Sequence, residues 1–90
     1  MNLRVIKKDV TYLVEEFLSD ALIAMGFAKD EQKRETVAEL FNEAIALRDT
    51  IYMKINNPSK ENVKAYYRTL TTEFLTSIDS LFGRLGELNK

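Results

Sequence analysis

The 90-residue chain contains no cysteine, histidine or tryptophan, and only one proline and three glycines. Without cysteine there can be no disulfide, thiolate metal site or cysteine nucleophile, and a reducing cytoplasm is the expected compartment. Without histidine the chain lacks the usual general base near neutral pH and the commonest ligand for zinc, iron and copper, so no cofactor and no metal are expected. Long apolar runs are also missing. The opening MNLRVIKKDV meets Asp9, Glu15 and Glu16 before any apolar stretch reaches the length of a signal peptide or a membrane span, so no membrane association is expected. Neither tandem repeats nor low-complexity segments occur, which argues against a solenoid or a linker.

What is present suits a folded domain. Hydrophobic residues make up 46% and charged residues 30% of the chain, a balance that can offset chain entropy where a disordered composition could not. Ninety residues allow one core and no more, so residues 1–90 are read as a single domain. Ile6, Val10, Leu13, Phe17, Ala21 and Ala24 recur at threes and fours, predicting a first helix from about residue 3 to Met25. Gly26 is expected to stop it in the left-handed conformation, with a loop over Gly26 to Lys29 and Asp30 capping the next helix. Val37, Leu40, Ala44, Leu47, Ile51 and Ile55 form the second stripe, which ends at Asn56 and Asn57 because Pro58 disfavours helical geometry before it. The third helix is capped either by Asn57, with Pro58 as its first residue, or by Ser59. Its stripe is Val63, Tyr67, Leu70, Phe74, Ile78, Leu81, Leu85 and Leu88, and Gly83 and Gly86 favour fraying after Phe82.

No stretch alternates apolar and polar residues as a half-buried strand does, so the chain is all-α. Short connections make sequential helices antiparallel, and the expected architecture is a three-helix up-down-up bundle of rods roughly 35–40 Å long, monomeric or dimeric. Helix 1 carries a wider apolar arc than one neighbour needs. Val14, Leu18, Leu22 and Met25 flank its stripe, while Val5, Tyr12 and Ile23 lie on the far side as candidates for self-association.

The segment IYMKINNPSKENVKAYYRTL, residues 51–70, gathers three of the four tyrosines and four of the thirteen bases. In an up-down-up bundle it shares one pole with the start of helix 1. Residues 1–13 and 44–70 hold eight bases against three acids, a charge of +5; the rest holds five bases against eleven acids, −6. The folded chain is thus a dipole although its net charge is −1. All four tyrosines fall in the basic half and all five phenylalanines in the acidic half, as suits a wetter and a drier end. The candidate anion site at the basic pole has Arg48 as its floor and Lys7, Lys8, Lys64 and Arg68 as its rim, with Tyr52 and Tyr67 able to stack on a ligand. The competing reading has the Arg48 stem packed on the core with its guanidinium in water or against a tyrosine ring.

Glu31, Glu35, Glu39 and Glu43 step by four along helix 2, as a shared divalent ion would want. Di-metal bundles add histidines from facing helices, however, so the stripe reads as a solvated face eased by Lys33, Arg34 and Arg84. No serine, threonine or lysine stands in a recognisable nucleophile motif. The expectation is a small non-catalytic helical module that binds another protein or a second copy of itself. The alternative, nucleic-acid or phosphate-ligand binding at the basic pole, is less favoured because the pI is near 5.4.

Overall fold

A computed structural model describes residues 3–58 and 61–88, and the chain forms three helices: α1 (Leu3–Phe27), α2 (Glu31–Asn56) and α3 (Val63–Leu88). They pack into a rod of 50 × 17 × 17 Å. Twenty-five or 26 residues per helix, at 1.5 Å rise, account for most of that long axis.

Side-chain contacts fix the directions. Lys7 and Thr11 near the start of α1 meet Tyr52 near the end of α2. Tyr66 at the start of α3 reaches Lys54 on α2. At the other end Ala24, Val37 and Leu88, one from each helix, border a single hollow. The middle helix therefore runs opposite to its neighbours, and the proline turn shares one pole with the first turns of α1.

The core follows the stripes read from the sequence, with Phe17, Val14, Leu40 and Val37 the largest fully buried side chains. Burying such groups contributes about 1.5–3 kcal/mol each. Phe17 meets Phe82 edge to face, centroids 5.1 Å apart at 81°, joining α1 to α3 in the acidic half. Val14, read as a flank, is completely buried, because α1 packs more extensively against α2 than against α3 and its buried arc turns that way. Val63, read as core, is 45% exposed, since it begins its helix beyond the edge of the packed layer.

Three helix ends depart from expectation. Gly26 is not a left-handed stop: among the described residues no glycine has a positive φ, and α1 continues through Gly26 to Phe27. The connection to α2 is therefore Ala28 to Asp30, and Asp30 caps α2 as expected, its carboxylate accepting from the Gln32 amide at 2.9 Å. Neither expected cap starts α3. That helix begins at Val63, and Asn62 Oδ1 accepts from the Ala65 amide at 3.1 Å; Ser59 and Lys60 lie outside the described residues. The helix also persists past Phe82 to Leu88, because Leu85 and Leu88 still pack on the core and offset the helix-weakening glycines.

Candidate functional site

The end of α2 explains why tyrosines gather at the basic pole. A helix leaves its last four carbonyls without partners inside the helix. Here Asn57 Nδ2 donates to the Met53 carbonyl, the Tyr66 hydroxyl to that of Lys54 and the Tyr67 hydroxyl to that of Ile55, each at 3.0 Å. Two consecutive tyrosines at the start of α3 thus clasp the end of α2 across the proline turn. Their rings touch edge to face at 5.5 Å. Tyr67 is buried and its hydroxyl fully committed, so that polar tip faces a carbonyl instead of water. Tyr52 makes the matching link to α1, hydrogen-bonding Thr11 while the Lys7 ammonium lies 5.3 Å from its ring centroid.

The remaining members of the candidate anion site are dispersed. Arg48 turns to the adjacent Asp49, donating from Nε at 3.2 Å and from the terminal nitrogen at 3.1 Å, with its side chain 34% exposed. Its stem rests on the bundle while its charge is met by a carboxylate one residue away. Lys7 is occupied by Tyr52. Lys8, Lys64 and Arg68 are exposed and carry no ion pair among the described residues. Lys54, on the same pole, reaches Glu73 at 3.8 Å.

On the acidic half, Arg84 of α3 grips Glu43 of α2 through two nitrogens, at 3.0 and 2.9 Å. The hydrogen bond to Glu43 holds the Arg84 guanidinium above its ordinary pKa, with added attraction from Glu43 and Glu39. Arg34 instead donates to the Ala28 carbonyl at 2.9 Å, fastening the α1–α2 connection. Glu31, Glu35 and Glu39 are exposed along this face.

The far side of α1 is more distinctive. Val5, Tyr12 and Ile23 are all exposed, Tyr12 to 65%. Their spacings of 7 and 11 are close to two and three turns, so they share a face. Phe27, one turn past Ile23, is 82% exposed, and Leu22 and Leu75 are also open to water. Of the eight large apolar side chains exposed among the described residues, five belong to α1. Phe27 and Leu75 are not evident from the sequence: Phe27 follows a glycine that reads as a stop, and Leu75 sits one place beside the α3 stripe. No protein-family model matches the chain, and comparisons with curated proteins and with solved structures find no match.

Proposed function

We propose that this protein is a protein–protein interaction module whose contact surface is the outward face of α1 with the adjoining edge of α3. The observation behind this reading is the alignment of Val5, Tyr12, Ile23 and Phe27 on a face that no other helix of the bundle covers. An isolated exposed apolar side chain is ordinary, but a row along one helix is the usual mark of a surface that meets something. The row also holds two aromatics, which are enriched at the centres of interfaces. Anion binding at the basic pole has less support. Tyr66 and Tyr67 spend their hydroxyls on α2, Lys7 lies on Tyr52, and Arg48 is paired with Asp49.

Site-specific cross-linking in the native host tests the reading. A photoreactive phenylalanine at position 12 or 23 is expected to give a discrete cross-linked band, and the same group at Glu35, on the opposite charged face, none. A band at twice the chain mass means a second copy covers the face; any other discrete mass means a different chain. Equal labelling from positions 12, 23 and 35, or none from any, overturns the proposal.

A further inference from the structure

α1 and α3 run side by side but do not close fully, and the furrow between them contains two hollows. One, of about 290 Å³, lies toward the basic pole, with Leu13, Leu70, Phe74 and Leu75 on its walls and Asp9 and Thr71 among its lining residues. The other, of about 510 Å³, lies toward the acidic pole between Ile23, Phe27, Phe82 and Leu85, with Asp20 and Gly86 in its lining. Short side chains stand among the furrow's lining residues: Asp9 and Asp20 on α1, and Thr71 and Gly86 on α3. Tyr12 and Leu75 edge the first hollow, and Glu16 and Asp79 stand between the two in sequence; all four are exposed.

The charge lining the furrow's two hollows is one-sided, while Arg4, Lys7 and Lys8 border a separate depression across Tyr12. Asp9, Glu16 and Asp20 recur with the apolar row on α1, and Asp79 stands between Leu75 and Phe82 on α3. Among the described residues none of these four acids has an ion pair or a side-chain hydrogen bond, and no lysine or arginine lines either hollow. On α3, Arg68 borders a different depression with Thr72 and Glu73, and Arg84, beside Leu85, is held by Glu43 of α2. Unneutralised carboxylates beside apolar surface favour an occupant that brings both apolar side chains and positive charge.

We infer that the furrow receives an amphipathic helix from another protein, with apolar anchors on one face and lysines or arginines on its flanks. This rests on the interaction reading above and names the partner class. Asp9 and Asp20 are eleven residues apart, about 16 Å along α1, so anchors at i and i+11 of a helix lying along the furrow reach both hollows, with i+4 and i+7 over Tyr12 and Leu75. A second copy is the poorer occupant. A two-fold axis at the middle of the furrow would bring Asp9 of each copy toward Asp20 of the other, and like charges brought together across an interface oppose association.

Two synthetic eighteen-residue peptides provide the test, identical in leucines at i, i+4, i+7 and i+11 and in alanine and glutamine elsewhere, one with three lysines and one with three glutamates on the flanks of the leucine face. They are titrated into ¹⁵N-labelled protein at low salt. The lysine peptide is expected to bind at least about tenfold more tightly than the glutamate peptide. Its amide shifts should gather at Tyr12, Ile23, Leu75 and Phe82, and Leu75→Gln should weaken it several-fold while leaving the thermal melt unchanged. Shifts gathered on the Glu31–Glu43 face of α2 would show that charge alone is being read and would overturn the inference. Equal binding of both peptides in the furrow overturns the basic partner but keeps the interaction surface. Sedimentation showing a dimer dispersed by Leu75→Gln does the same, making the occupant a second copy. Failure of both peptides to bind overturns the inference, and the cross-linking result then decides the interaction reading independently.

Discussion

Deleting a single oxygen from Tyr67 isolates the tyrosine clasp from everything else the ring does. Tyr67→Phe keeps the packed ring but strips the Ile55 carbonyl of its donor, in a place where the side chain is only 4% exposed and water cannot easily substitute. Losing a hydrogen bond and stranding a buried acceptor costs about 1–2 kcal/mol. For a domain of this size each kcal/mol moves Tm by about 4–8 °C, so a fall of roughly 5–15 °C is expected. Tyr66→Phe is the internal control. Its hydroxyl makes the same bond to Lys54, but at the surface, where water replaces it, and the cost should be about 0.5 kcal/mol or less. Urea unfolding followed by helical circular dichroism measures both, and amide exchange should quicken in the last turn of α2 in the Tyr67 variant alone. A Tyr66 variant as damaged as the Tyr67 variant, or a Tyr67 variant as stable as the parent, would refute the reasoning.

Other substitutions test the helix ends and the dispersed pole. Gly26→Ala should raise stability by about 0.5–1 kcal/mol in urea unfolding, since Gly26 is helical and an added Cβ meets nothing within 4 Å; a loss would mean that a left-handed glycine ends α1. Asp30→Ala should cost about 1 kcal/mol by removing the cap on the Gln32 amide, and an unchanged urea midpoint would contradict that role. Arg48→Leu should alter stability by no more than about 0.5 kcal/mol, because its pair with Asp49 is local and partly exposed, and should leave the heat of mixing with polyphosphate unchanged; loss of a measurable heat would return Arg48 to an anion site.

Helix positions and the core were readable because burial repeats with the helical period: Ile6, Val10, Phe17, Ala21 and Ala24 need no partner information to be placed on one face. Helix direction was readable too, since connections as short as Ala28 to Asp30 leave an antiparallel neighbour as the only choice. The ends were harder. Gly26 and Asn62 could each fill more than one role in a turn, and local preference does not decide when packing on the core extends a helix through a glycine. The role of Tyr66 and Tyr67 at the turn was not legible in the sequence. Their composition suggests a wet binding face, whereas two hydroxyls meet carbonyls twelve residues earlier in the chain, a relation that only the antiparallel turn creates. Val5, Tyr12 and Ile23 could be seen to lie off the main stripe. The furrow beside them could not, because it depends on how far α1 and α3 stand apart and on which short side chains line the gap.

If the outward face of α1 exists for contact, the isolated fold does not need its apolar groups. The decisive measurement is the urea unfolding free energy of the combined Val5→Gln, Tyr12→Gln, Ile23→Gln protein. Exposed positions in a helix are expected to tolerate this change within about 1 kcal/mol in total, with full helical signal retained. A loss of several kcal/mol, of the size caused by opening a cavity in a packed core, would show that these side chains hold the bundle together and would contradict the assignment of this face to a partner.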